Sequence, residues 1–214
     1  MTNATGKGWW TAYLSLLGDR ARDLAELEAT TTAFRSFQWL YVPGLLQTPD
    51  YMRALFSTWS HETPPDIIDQ YVDFRLQRQQ VLSREPLPNL HAVIHEAAFH
   101  MHFVDRKIMR DQLAHLEEVS HLPNVNIQLL PFKVERHPAT PGAPFTIYDA
   151  AAPELRTVYV EQPITPLFLG DPEPVGQFTS DFARMSSVSL APLRSQESHE
   201  GSSLGLLQYL RYVL

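Results

Sequence analysis

The chain contains no cysteine. Disulfides, thiolate metal sites and a cysteine nucleophile are therefore excluded. No apolar run approaches the roughly 18 residues that a membrane-spanning helix needs. Residues 2–6 are small or polar and lack the apolar core of a signal peptide, so the expected location is the cytoplasm. Positive charge is scarce: 17 Lys and Arg face 24 Asp and Glu, for a net charge of −7. The densest basic stretch, Arg75, Arg78 and Arg84, has no interleaved aromatics. Without the phosphate-neutralising face of a nucleic-acid binder, no direct DNA binding is expected. Motifs of established chemistry are missing as well. The sequence has no glycine-rich phosphate loop, no G-x-S-x-G elbow, no HExxH pair and no kinase or dinucleotide fingerprint, so neither a cofactor nor a metal is expected.

What the chain does have is an ordinary globular make-up: 214 residues, 44% hydrophobic and 19% charged. That length suits one domain, and a chain of this size buries roughly 70% of the surface its unfolded form exposes. Periodicity divides it into four stretches. Residues 1–60 read as helical and aromatic-rich. Trp10, Tyr13, Leu14 and Leu17 share a helix face, Gly18 can end that helix, and Leu24, Leu27 and Phe34 continue the period. The run Thr30-Thr31-Thr32 counts against helix there. After the turn Val42-Pro43-Gly44, a second helix starts behind Thr48 with Pro49 at its first position. Residues 61–65 read as a loop. Residues 61–88 carry one helix, at 66–84, with Ile68, Val72 and Leu76 on one stripe. Residues 89–162 form a mixed sheet. Strands at 90–99 and 125–130 flank a helix at 107–121 whose Met109, Leu113 and Leu116 point inward, which predicts a parallel βαβ crossover. Residues 145–149 and 157–161 alternate as a hairpin pair. Residues 163–214 hold two C-terminal helices, marked by Val175, Phe178, Phe182 and Met185 and by Leu204, Leu207, Leu210 and Leu214. The class is α+β, a helical N-terminal layer on a small mixed sheet with helices at the end.

Several groups of residues could carry chemistry. Glu96 and His100 come together whether they lie on a strand or one turn apart on a helix. A carboxylate among Ala92, Ile94 and Ala98 is desolvated, and beside an imidazole it makes an acid–base pair. The plain alternative is that Glu96 pairs with an arginine of helix 66–84. His91, His95, His100 and His102 are too few on one face, and lack a partner carboxylate motif, to hold a metal. Arg75 and Arg78, with Gln79, can grip an acidic group of a ligand, or pair with Glu96 or Glu161. Thr157, Tyr159 and Glu161 give one strand face a polar character, fitting either a cavity wall or a solvated surface. Trp9, Trp10, Trp39 and Trp59, with Tyr41 and Tyr51, serve a core or an aromatic cavity. The expected cavity lies between the sheet and the N-terminal helices, with Trp39, Arg75, Arg78, Glu96, His100, His102, Tyr159 and Glu161 on its wall.

The phrases Gly8-Trp9-Trp10, Leu27-Glu28 and Val42-Pro43-Gly44-Leu45-Leu46-Gln47-Thr48-Pro49-Asp50-Tyr51 share a further property with Val72-Asp73-Phe74-Arg75 and Arg78-Gln79. So do His95-Glu96-Ala97-Ala98, Pro123-Asn124-Val125, Leu129-Leu130-Pro131-Phe132, Pro144-Phe145-Thr146-Ile147 and Val158-Tyr159-Val160-Glu161. Together and in this order, they resemble the uncharacterised domain (domain of unknown function 5753) that follows an XRE-type helix-turn-helix in actinobacterial regulators. The resemblance runs from about Gly8 to Met185. It implies an effector half that binds a small molecule or a small companion protein, here without the DNA reader, with a homodimer left open. The sequence departs from the family pattern at His95, where an acidic residue is usual, at Phe99-His100-Met101-His102, and in the tail at 194–205. Those departures imply a second function class: a cofactor-independent enzyme of specialised metabolism, a cyclase, isomerase or hydrolase, with Glu96 and His100 as acid and base. A third reading takes the chain as a piece of a longer regulator.

Overall fold

The computed structural model describes residues 8–58, 62–134, 143–162, 165–194 and 201–214. Trp59, His61 and residues 195–200 of the tail lie outside that set. The chain folds as α+β, six α-helices and a six-stranded mixed sheet among the described residues.

A 3₁₀ turn at Trp9–Tyr13 leads into helix α1 (Leu14–Thr30). Gly18 does not end this helix. One interior glycine costs only about 1 kcal/mol, and the helix continues past it to bury Ala25 on its inner face and to pair Glu28 with Arg78. The helix stops at the threonines, where Thr31 turns its hydroxyl back to the Leu27 carbonyl at 2.8 Å. Strand β1 (Ala33–Gln38) follows at once. The first 60 residues are thus not all helical. Phe34 sits seven residues after Leu27, a spacing that continues a helical stripe, yet the β-branched run before it hands the chain to a strand.

Helix α2 (Pro49–Ser57) starts as expected, with Thr48 capping the Tyr51 N–H. Helix α3 (Pro65–Gln79) then runs into a 3₁₀ turn at Gln80–Ser83. Strand β2 (Asn89–His95) is shorter than its apolar run. The His95 side chain accepts the Ala97 N–H at 3.0 Å and curls Glu96–Phe99 into a 3₁₀ turn, so the strand predicted through residue 99 ends at His95. The crossover itself is as read. Helix α4 (Arg106–Val119), capped by Asp105, connects β2 to strand β3 (Val125–Leu130), and the two strands pair in parallel from Leu90↔Val125 to His95↔Leu130. Strands β4 (Phe145–Asp149) and β5 (Thr157–Val160) form the antiparallel hairpin, extended by a short strand β6 (Leu167–Leu169) that the sequence did not signal. Helices α5 (Pro172–Val188) and α6 (Ser203–Val213) complete the fold.

The strand order is β3-β2-β1-β4-β5-β6. β1 lies inside the sheet, parallel to β2 and antiparallel to β4, with Phe34 opposite both Leu90 and Tyr148. Alternation along each strand sorts side chains to two faces. Phe34, Leu90, Ala92, Ile94, Ile127 and Leu129 pack against α2, α4 and α6 through Leu55, Met109, Leu113, Leu116, Leu207 and Leu210. Phe37, Val93, Phe145, Ile147 and Val158 face the other way, onto Val175, Phe182 and Met185 of α5. The two C-terminal helices therefore cover opposite faces. The edge at β3 is closed by the chain after α5: Leu190 and Leu193 donate to the carbonyls of Leu129 and Ile127, each at 2.9 Å. Among the described residues, no helix is long and apolar enough to cross a membrane.

Candidate functional site

On its first face the sheet is covered unevenly. Large apolar side chains of α4 and α6 seal β2 and β3. Over β1, β4 and β5 the floor instead carries Ser36, Gln38, Thr146, Tyr148 and Tyr159, and the roof from α1 and α3 carries Glu28, Arg75 and Arg78. Polar groups below and charged groups above do not close into a dry contact. The result is a cleft of about 1090 Å³, at the upper end of the range for small-molecule sites. Phe34, Leu24, Leu45, Leu55, Phe56 and Leu90 give it apolar walls, and Trp39 and Tyr41 stand at its rim.

One side of the cleft is the segment from Val42 to Pro49, which is latched from every direction. The buried Tyr51 hydroxyl accepts the Val42 N–H at 3.1 Å, and the Gln47 amide donates to the Val42 carbonyl at 2.6 Å. Gln112, wholly buried on α4, accepts from the Thr48 N–H at 2.7 Å and donates to the Leu46 carbonyl at 2.8 Å. Gln79 donates to the carbonyls of Gly44 and Gln47 at 3.0 and 2.8 Å. Backbone groups that a non-regular segment leaves unpaired are thereby satisfied, and the wall is fixed.

The charges divide into one closed pair and two open groups. Arg78 meets Glu28 with both ends of its fork, Nε at 2.9 Å and a terminal nitrogen at 2.6 Å. Burial works against the Arg78 charge, but Glu28 outweighs it and holds the guanidinium above its ordinary pKa. Arg75, three residues away, donates one N–H to the Gln47 Oε1 and lies 4.5 Å over the Phe56 ring. Among the described residues it forms no ion pair, and its remaining N–H groups open onto the cleft. Burial, and then repulsion from Arg78, bring its pKa down to about 10, which still leaves it charged at neutral pH. Glu161 follows β5 and accepts a hydrogen bond from Gln38 at 3.3 Å. It is exposed and lines the cleft. Burial raises its pKa, with Arg75, Gln38 and Arg78 pulling partly back. Tyr148, buried on the floor, has its phenol pushed well above the usual value, by burial first and by Glu28 second.

Of the site residues read from the sequence, Trp39, Arg75, Arg78, Tyr159 and Glu161 line this cleft; Glu96, His100 and His102 do not. Glu96 and His100 do meet, carboxylate oxygen to Nε2 at 3.6 Å, but on the turn beyond β2. There Glu96 accepts the Phe132 N–H at 2.8 Å and His100 stacks beside the exposed Phe132 ring. The early end of β2 is the reason: the chain turns away at His95, one residue before Glu96 would join Ile94 on the sheet face. Glu96 does not pair with an arginine of α3, and Arg78 takes neither Glu96 nor Glu161 but Glu28. His91 bonds Gln128 at 2.7 Å on the opposite face. No group of three or more His, Asp or Glu among the described residues is placed to hold a metal.

Sequence reasoning missed Glu28, Ser36, Gln38, Thr146 and Tyr148. Glu28 alone left a trace, as a carboxylate on the inward stripe of α1 with Leu24 and Ala25. The floor residues needed β1 to be recognised first. No curated protein and no solved structure matches the chain. Residues 21–198, which contain every residue lining the cleft, match the family described as a domain of unknown function (DUF5753), and the chain belongs to that family.

Proposed function

We propose that the chain is a regulatory module that binds a small molecule in the cleft over β1, β4 and β5. In this reading it is the effector half of an actinobacterial regulator of the XRE helix-turn-helix type, acting in the cytoplasm. The observation that carries it is Arg75, a guanidinium with N–H groups directed into a roomy cleft and no carboxylate of the described residues in ion-pair contact. A buried charge is normally paired or hydrogen-bonded, and a ligand acid supplies what the protein leaves out. The polar floor serves the same end, since Ser36, Thr146 and Tyr148 offer hydroxyls where a structural core would place methyl groups. A small companion protein is the other partner that the resemblance admits, entering the cleft with a side chain or a terminus.

The enzyme alternative has Glu96 and His100 close together, but away from the cleft, where His100 is 42% exposed. General acid–base work needs the pair within reach of a held substrate, and that favours the binding reading.

The test uses thermal shift and saturation-transfer NMR with aromatic amino acids, aromatic acids and aromatic amines at millimolar concentration, on the parent and on Thr146→Phe. Phenylalanine suits a strand position and fills the cleft from its floor. Saturable binding to the parent that disappears in a folded Thr146→Phe supports the reading. Absence of binding, or binding that survives the plug, overturns it.

A further inference from the structure

Four charged side chains line the cleft among the described residues: Glu28, Arg75, Arg78 and Glu161. They sum to zero, but only one pair is closed. Glu28 is committed to Arg78 through both oxygens. Arg75 and Glu161 feel each other's charge without meeting as an ion pair. Arg75 is held in place by Gln47 and the Phe56 ring, and Glu161 by the Gln38 amide, so the two charges cannot collapse together without losing those contacts. One is mounted on the helical roof and the other at the edge of the floor, with open space between them.

We propose that the cleft selects amphoteric ligands, molecules bearing a carboxylate that meets Arg75 and an amine or other cationic hydrogen-bond donor that meets Glu161, on an apolar, ring-bearing body. This inference rests on the binding reading above and names the chemistry of its ligand.

Charge balance within the cleft sets the ligand class. A carboxylate paired to the Arg75 fork gains a charge-assisted, geometrically matched contact. A ligand with that group alone would also bring its negative charge toward Glu161, and like charges in a walled site repel strongly. A ligand with only an amine would satisfy Glu161 but leave Arg75 as it was and set two cations near each other. A molecule with both groups satisfies both open charges and leaves the cleft neutral, as it is when empty. Phe34, Leu24, Leu45 and Leu90 and the rim aromatics Trp39 and Tyr41 then take the apolar body.

Three probes of matched shape test this: L-tryptophan, which carries both groups, indole-3-propionate, which carries only the acid, and tryptamine, which carries only the amine. Calorimetry or saturation-transfer NMR gives the three dissociation constants on the parent, Arg75→Met and Glu161→Gln. The expected order places L-tryptophan about tenfold or more ahead of both others, the discrimination that one charged hydrogen bond supplies. Arg75→Met should weaken L-tryptophan and indole-3-propionate and spare tryptamine. Glu161→Gln should weaken L-tryptophan and tryptamine and erase the advantage of L-tryptophan over indole-3-propionate. Glu161 follows the last residue of a strand and is exposed to the cleft, so its amide variant keeps the packing, and the test stands on it even where Arg75→Met does not fold. Indole-3-propionate binding as tightly as L-tryptophan overturns the proposal in favour of a plain acid site. Equal binding of all three that ignores both variants but is lost in Thr146→Phe also overturns it while leaving the cleft as a binding site. Failure of every probe to bind removes the binding reading itself.

Discussion

Arg78 and Glu28, fifty residues apart in sequence, join α3 to α1 through two parallel hydrogen bonds of 2.9 and 2.6 Å across the roof of the cleft. Their side chains are 12% and 3% exposed. Removing one member strands the other in a walled site, whereas removing both does not. Glu28→Gln should therefore cost about 3 kcal/mol, a fall in melting temperature of roughly 6–12 °C for a chain of this size. The double change Glu28→Met with Arg78→Met should recover most of it. Calorimetric melting of the three proteins decides the matter; a double variant as unstable as the single one would mean that the pair does more than satisfy itself.

Gln112 has no access to solvent and bonds the backbone on both sides of the Leu46–Thr48 turn. Gln112→Leu keeps the volume and leaves the buried Leu46 carbonyl and the half-buried Thr48 N–H without their partner, at about 1–3 kcal/mol each. Urea unfolding should show a loss of about 2–4 kcal/mol with an unchanged m-value. A loss below about 0.5 kcal/mol would show that water enters and replaces the amide.

Glu161 is held in its neutral form more strongly in the folded protein than in the unfolded chain, because burial raises its pKa above the ordinary 4.5. The stability this contributes is complete below pH 4.5 and is lost as pH rises through the folded value. A glutamine at this position imitates the neutral acid at every pH. Glu161→Gln should thus melt higher than the parent at pH 7, and the difference should vanish below pH 4.5. Melting curves from pH 3 to 8 test the sign directly, and a variant that melts lower at pH 7 contradicts it.

Glu96 accepts one backbone N–H, from Phe132, and a glutamine carbonyl can accept the same bond. Glu96→Gln should leave L-tryptophan binding in the cleft unchanged and alter stability by less than about 1 kcal/mol. An activity of the purified protein that this substitution abolishes would restore the enzyme reading with Glu96 and His100 at its centre.

Local pattern decided what could be read from the sequence. The β2–α4–β3 crossover was legible because its strands are apolar and Met109, Leu113 and Leu116 keep a helical period. Arg75 and Arg78 were legible as guanidiniums one turn apart on a helix, and Glu161 as the end of a polar strand face. β1 was hidden by an accident of spacing: Leu27 to Phe34 imitates two helical turns, and Phe34, Ser36 and Gln38 show their period of two only to a reader who has already ended the helix. That one strand carries much of the cleft floor, so the floor residues were lost with it. Glu96 and His100 fell differently. Their proximity followed from either local geometry, but their place in the molecule depended on His95 folding back to cap Ala97, a single hydrogen bond that no periodicity announces. Glu28 could be suspected as a buried carboxylate, while its partner, half a hundred residues on, is a matter of how α1 and α3 cross.

The position of β1 governs when the cleft comes into being. Among the described residues it is the earliest strand, it lies inside the sheet, and the floor contact between Ser36 and Thr146 spans 110 residues. At the usual pace of synthesis, β4 emerges roughly 5–20 s after β1. During that interval β1 can pair only with β2, and Phe37 has neither Phe145 nor α5 to cover it. Such late, distant pairing slows folding and leaves an open, sticky strand edge on the nascent chain. The cleft is then among the last parts to assemble. Recombinant yield should respond to translation speed and to chaperones that shield an exposed strand, even where the finished protein is stable.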